Sequence, residues 1–234
     1  MINLDDLFPN RESLLEINKD HEDKIKEIIM NRKIEYLVHF TRIENLSSIL
    51  KIGLYSVSEQ LKNNIHSIRN DEQRIDKKLD CTSCSVMFPN FKLFSSFRKY
   101  NSPKSKWVVI LLDKDVLFSP DNIKYFCQKN AAGLYMGLDA SSKKFCTADA
   151  FENMFYDPDL RVSLHINDYL TTDPQAEILI SDIINTKYIS GICFEKQSDL
   201  DEYLKKYNDN FLSNYDYDII PGFFYDRKDS EFWR

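Results

Sequence analysis

The 234 residues are 43% hydrophobic and 13% aromatic, enough for a packed interior and, at this length, for one sizeable core. A formal net charge of −6 excludes a protein that coats nucleic acid through a broad basic surface, though not one with a local basic groove. Five glycines exclude a glycine-rich barrel, and no apolar run approaches the roughly 20 residues of a membrane span.

At the N-terminus, MINLDDLFPNRESLLEINKD is polar and acidic, so it is no export signal. With that, five unevenly spread cysteines fit reduced thiols in a cytoplasm. Leu14, Leu15, Ile17, Ile25, Ile28 and Ile29 recur amid dense charge across 11–32, predicting one or two amphipathic helices. IEYLVHF (34–40) suits a buried strand. Behind it Leu46, Ile49 and Leu50 keep helical spacing, Glu44 or Asn45 stands at the start, and Gly53 takes the C′ position. Residues 55–80 are polar and without period, a loop with a helical stretch near 56–64. CSVMF (84–88) predicts a strand ended by Pro89 and Asn90, FKLFSSFRKY a helix, and Trp107–Leu112 the clearest strand.

From 119 to 174 the pattern is poor, apart from a helix over 147–156, and long loops in compact domains usually carry function. AEILISDII (176–184) is read as alternating and YISGICF (188–194) as a buried strand. SDLDEYLKKYND (198–209) reads as an amphipathic helix opened by Ser198, and the aromatic tail as a last strand. There is no internal repeat and no linker. The expectation is one α+β domain over 1–234: a helical segment (1–33), a core (34–195), and a C-terminal helix and strand (196–234).

Few residues offer chemistry by spacing alone. Cys81 and Cys84 form a CxxC, but no second ligand pair accompanies it, so no metal is expected. GxSxG, P-loop and GxGxxG motifs are absent. Lys92, Arg98, Lys99, Lys104 and Lys106, interleaved with Phe91, Phe94, Phe97 and Tyr100, make either a basic patch or a solvated helix face over core aromatics. His39 and Thr41, two apart on a strand, share a face. Glu177 opens AEILI, and Arg74 and Asp76 sit in a charge run. Each of these alone also reads blandly, as a core histidine, a rim glutamate and solvated charges.

Together they do not. HFTRIENLSSILKIGL resembles the opening of DarT-type ADP-ribosyltransferase toxins, His-x-Thr-x-x-x-Asn-Leu-x-x-Ile-Leu-x-x-Gly, on His39, Thr41, Asn45, Leu46, Ile49, Leu50 and Gly53. QAEILI resembles the family's catalytic strand, with its glutamate at Glu177. RNDEQRID, followed by CSVMFPNFKLF and NAA, is similar to one branch in which an arginine ahead of the second core strand is catalytic. That role falls to Arg74, with Arg69 as the alternative. The resemblance spans about 36–194.

It implies an ADP-ribosyltransferase fold, a central mixed sheet with flanking helices, and NAD as substrate. His39 would hold the adenosine ribose, with Thr41, Asn45 and Gly53 in the same NAD site. Free backbone N–H groups near Asn45 would serve the pyrophosphate. Glu177 would stabilise an oxocarbenium-like transition state, and Arg74 would steady the diphosphate or the acceptor. Gln175, Asn90 and Arg98 would lie on the acceptor side, and 145–175 would be the substrate-reading loop. The implied acceptor is a base of single-stranded DNA, with RNA as an alternative. SCSVMFPN (83–90) departs from the Tyr-Phe-x-Pro-Arg-like sequence of the thymidine-modifying branch, which points toward guanine or another base over thymine. Such toxins are normally restrained by an antitoxin, often a macrodomain hydrolase, in toxin–antitoxin or phage-defence systems. Two rivals stay open: an arginine-directed protein transferase, because Gln175 stands two before Glu177, and a non-catalytic domain of the same fold.

Overall fold

The computed structural model describes residues 10–69, 78–101, 105–134, 143–207 and 211–233. Nine strands form among them: β1 (Tyr36–Arg42), β2 (Leu54–Tyr55), β3 (Cys81–Val86), β4 (Trp107–Asp113), β5 (Lys124–Cys127), β6 (Glu177–Ser181), β7 (Ile183–Ile184), β8 (Ile189–Phe194) and β9 (Tyr217–Ile219). Seven make one sheet in the order β5-β6-β3-β1-β4-β8-β9, while β2 and β7 pair separately. All pairings are antiparallel except β8–β9, so the sheet is mixed and the fold is α+β, as the sequence implies.

The sheet is not continuous in strength. β1 pairs with β4 along its whole length, from Tyr36↔Asp113 to Arg42↔Trp107. With β3 it pairs only at Leu37↔Val86 and Val38↔Ser85. Beyond those two pairs the ladder ends, and a cleft lies between Val38–Arg42 on one side and residues 81–85 on the other. The two half-sheets are held from both faces. One face packs Leu37, Ile110, Leu112 and Ile178 under Ile25, Ile28 and Ile29 of the helix Glu22–Arg32. The other packs Val38 and Val109 under Phe94, Trp107 and Phe224, with Phe40 stacked on Phe94 at 4.4 Å between ring centres. Coverage on both faces is why β1 and β4 read as apolar runs rather than as alternation.

Most expected elements form, with shifted ends. Helices occupy Arg11–Asp20, Glu22–Arg32, Leu46–Ile52, Val57–Lys62, Phe91–Ser96 and Gln197–Tyr207, the last beginning one residue before Ser198. β3 starts at Cys81 and stops at Val86, where Met87 takes a positive φ of 59°. Three expectations fail. β6 is buried at every position rather than alternating, because it lies between β3 and β5 with both faces covered. β5 was not expected at all. The stretch 145–175 is more regular than expected: besides the expected helix, which forms over Ala148–Asn153 behind Thr147, it carries a second one, Pro158–Ser163, capped by Asp157.

β5 is an edge strand, a place where unpaired backbone invites other chains. Here Asn18, on the first helix, stands in for a neighbouring strand. Its Nδ2 donates to the carbonyls of Lys124 (3.1 Å) and Cys146 (2.9 Å), and its Oδ1 accepts from Lys124 N at 2.8 Å.

The segment before β6 is held by three arginines. Arg32 donates to Asp168 O at 3.2 Å. Arg161, itself buried, donates to the carbonyls of Leu170 (2.8 Å) and Asn167 (2.8 Å) and to Thr172 Oγ1 (3.1 Å). Arg227 donates to the carbonyls of Thr171 (2.9 Å) and Thr172 (3.0 Å). Burial first, then the neighbouring charge of Arg32, lowers the Arg161 pKa from its ordinary value. A loop whose carbonyls are turned onto guanidinium groups is a fitted part.

Candidate active site

The cleft between β1 and β3 has a volume of about 1040 Å³. His39, Thr41, Asn45, Gly53, Asn90, Gln175 and Glu177 all line it, as does Arg69. Thus segments far apart in sequence converge where the β1–β3 ladder ends.

His39 bridges the opening. Its Nδ1 lies 2.9 Å from Ser83 O, and a carbonyl can only accept, so Nδ1 carries the proton. In the neutral ring Nε2 is then the acceptor nitrogen, suited to a hydroxyl. Two residues on, Thr41 Oγ1 accepts from Asn45 Nδ2 at 3.1 Å. Asn45 also donates to Ile68 O (2.9 Å) and accepts from Ile68 N (2.8 Å). Its amide is therefore committed to the wall, clamping the stretch that carries Arg69, rather than turned toward a ligand. The helix Leu46–Ile52 does start at Asn45, its N-cap residue, but without a side-chain cap bond; the 3-10 turn Ile43–Asn45 runs into it, and Leu46 N–H is already taken by Ile43 O.

Gly53 ends the Leu46–Ile52 helix at φ 98°, ψ −179°. A Cβ there would stand 2.4 Å from Ile184 O. Close approach of β7 explains the glycine without any ligand.

Glu177 is 5% exposed at the first position of β6. Its Oε1 accepts from Asn130 Nδ2 at 3.1 Å and, more weakly, from Asn90 Nδ2 at 3.5 Å. Both asparagines are oriented by helix starts: Asn90 Oδ1 accepts from Leu93 N (3.1 Å) and Asn130 Oδ1 from Ala132 N (2.9 Å). With each Oδ1 held by an N–H, each amide NH2 must point at the carboxylate. Asn90, expected on the acceptor side, thus touches Glu177 itself. Asn130 was not singled out, although it opens the NAA stretch; an asparagine ahead of two alanines is a helix-start signal that hides a second use. Gln175 sits at the cleft with its N–H on Asp173 Oδ1 at 2.8 Å.

Arg98 is not brought to this cleft. Its NH2 pairs with both carboxylate oxygens of Glu195 at 2.7 Å, its NH1 donates to Phe224 O, and it lines a separate groove of about 750 Å³. The expected acceptor role there gives way to a bidentate ion pair that the local sequence could not reveal. Arg74 and Asp76 lie outside the described residues.

Cys81 and Cys84 are three apart on a strand and so face opposite ways: Cys81 packs with Tyr125 and Cys127, Cys84 with Leu37 and Ile178. Burial, with a smaller push from Glu177, raises the Cys84 thiol to about 12. It is no nucleophile. No group of three or more metal-ligating side chains occurs among the described residues.

Residues 38–225 match the family model described as "DarT: ssDNA thymidine ADP-ribosyltransferase, DarT". No curated protein sequence matches the chain. Among solved structures, Thermosipho africanus DarTG in complex with ADP-ribose is similar at 16% identity and a TM-score of 0.55, covering 81% of this chain and 50% of that one. Thermus sp. 2.9 DarT in complex with ADP-ribosylated ssDNA is similar at 14% identity and 0.53, covering 82% and 97%. The chain therefore spans half the length of the DarTG chain and nearly the whole of the Thermus DarT chain. These likenesses concern the fold. The family match covers every cleft residue described above, from His39 to Glu177, and the chain belongs to the DarT family of ADP-ribosyltransferases.

Proposed function

We propose that this protein is an NAD-dependent ADP-ribosyltransferase that modifies a base of single-stranded DNA. One arrangement carries the reading: a buried carboxylate, Glu177, oriented by Asn90 and Asn130 at the same cleft that His39 and Thr41 enter from β1. The family description, the ADP-ribose in the Thermosipho complex and the modified strand in the Thermus complex agree with it.

In this mechanism NAD lies along the cleft. His39 Nε2 accepts from the adenosine ribose and Thr41 lies beside it. Asn45 and Gly53 shape the wall. The bond from nicotinamide to the ribose C1′ breaks with its electron pair leaving on nicotinamide. Glu177 holds the ribose hydroxyl and stabilises the positive charge developing at C1′, an effect that grows in a site drier than water. A ring nitrogen or exocyclic amine of the base then attacks C1′, and its proton passes to Glu177. Gln175 stands on the acceptor side, and Arg74 steadies the diphosphate or the acceptor.

Arg69 is the alternative for that last role, since it lines the cleft. Comparing Arg74→Ala with Arg69→Ala decides between them: the catalytic arginine is expected to cost turnover tenfold or more, the other little.

His39→Ala is expected to weaken NAD binding by about 0.5–1.5 kcal/mol, the worth of one hydrogen bond. Calorimetry with an unreactive NAD analogue measures it. An unchanged affinity in a folded variant would make His39 only a strut between β1 and Ser83.

The base is the finer question. The family description says thymidine, whereas Ser83–Asn90 lacks the thymidine-branch sequence, and we keep a guanine-type acceptor. We also take the protein to be a cytoplasmic toxin restrained by an antitoxin of the macrodomain type. Incubation with labelled NAD and, separately, single-stranded DNA, RNA and total protein tests the whole reading. Mass spectrometry of the digested strand identifies the base. Labelling of RNA alone moves the acceptor, and labelling of protein alone assigns Gln175 and Glu177 to an arginine acceptor.

A further inference from the structure

We infer that Arg227 is a positioning residue for Glu177, acting through the segment that leads into β6; the inference rests on the transferase reading above. Arg227 is 5% exposed, and its planar fork is used on two edges. One edge pairs with Asp229, Nε to Oδ1 and NH2 to Oδ2, both at 2.6 Å, and Trp233 Nε1 holds the same Oδ2 at 2.7 Å. The other edge receives the consecutive carbonyls of Thr171 and Thr172.

In extended chain, neighbouring carbonyls point to opposite sides. Turning both onto one guanidinium defines a bend at 171–172. From that bend each step toward Glu177 is tied to the one before it. Thr171 Oγ1 donates to Asp173 O at 2.9 Å, Gln175 N to Asp173 Oδ1 at 2.8 Å, and Ala176 N to Asp173 O at 3.1 Å. Glu177 then enters the sheet. Pairing opposite Cys127 holds its backbone from the sheet side, the bend fixes the approach of the chain to that pairing, and Asn90 and Asn130 orient the carboxylate.

Arg227 lies beyond the stretch that matches the family model, which ends at residue 225. Arg161 lies inside that stretch, so the grip on the Thr171 and Thr172 carbonyls is the share of the anchorage supplied by a part of this chain that the family match does not reach. It is built as a bidentate device, for which lysine is a poor substitute because it is a point charge without a fork.

The test is Arg227→Lys, which keeps the charge beside Asp229 and removes the two-carbonyl grip, with Asp229→Asn as a milder companion. Misplacing a catalytic group by about 1 Å can cost on the order of a hundredfold in rate. Arg227→Lys is therefore expected to lower kcat for NAD cleavage and for base transfer together, by roughly tenfold or more. Affinity for an unreactive NAD analogue should stay within about twofold, since His39 and Thr41 are untouched. Hydrogen exchange should quicken at the amides of Gln175 and Ala176 and stay slow in β1 and β4.

Asp229→Asn, which leaves both carbonyl bonds, should shift the same readouts in the same direction by less. Should Arg227→Lys fail to fold, Asp229→Asn decides alone. A folded Arg227→Lys with full kcat overturns the inference. So does a loss of kcat matched by an equal loss of NAD affinity, or by faster exchange throughout the sheet. If the unmodified protein cleaves no NAD at all, the transferase reading is what has failed, and the exchange at Gln175 and Ala176 still reports whether Arg227 fixes the bend.

Discussion

Glu177→Gln is expected to leave the fold and NAD binding intact and to reduce transfer by about a hundredfold or more. The substitution keeps shape, and a carboxamide oxygen can still accept from Asn130 and Asn90, whose amides are held by Ala132 and Leu93. What it removes is the negative charge, and that charge acts on a cation existing only near the transition state. An interaction made only there lowers kcat and leaves ground-state affinity alone. Single-turnover cleavage of labelled NAD, beside calorimetry with an unreactive analogue, separates the two. A variant that keeps a large share of the rate would remove Glu177 from the mechanism.

The largest stability effect is expected at Gly53. Its φ of 98° with ψ near 180° belongs to a region that only glycine visits readily, costing other residues about 1–3 kcal/mol. Alanine would also drive a Cβ to 2.4 Å from Ile184 O, and backbone cannot swing aside as a side chain can. Relief means parting β2 from β7, which pair only at Leu54↔Ile184 and Tyr55↔Ile183. Together these give about 3 kcal/mol, and in a chain of this size roughly 6–12 °C in Tm. Differential scanning calorimetry measures it. Gly222→Ala is the control, since a Cβ there meets nothing within 4 Å. Equal melting shifts for the two would refute the account of Gly53.

What could be read ahead of the fold depended on how local the cause was. His39 and Thr41 were legible because strand alternation alone puts them on one side, and both line the cleft. Glu177 stood out as a charge at the head of an apolar run. Arg98 misled because its aromatic and basic neighbours suggested a surface, while its partner, Glu195, lies 97 residues along the chain. Asn45 carried the motif but serves Ile68, through a bond no spacing could show. β5 escaped because four residues beginning with a lysine hold too little pattern, and Lys124 is buried with its ammonium on Ser119 O, a bond the local pattern does not announce. Asn130 escaped because its helix-start use is sufficient reason for an asparagine.

The amide of Asn18 laid along β5 bears on where the molecule can be cut. A protein trimmed to the stretch that matches the family model would begin at residue 38, inside β1, and would lack the two helices Arg11–Asp20 and Glu22–Arg32. It would lose Ile25, Ile28 and Ile29 from beneath the sheet, and the two outer arginines, Arg32 and Arg227, from the bend ahead of Glu177. It would also present Lys124–Cys127 as a bare sticky margin, ready to add strands from other molecules. The ends of the family match and the ends of the packed unit are different lines here, and expression of a folded domain requires the second.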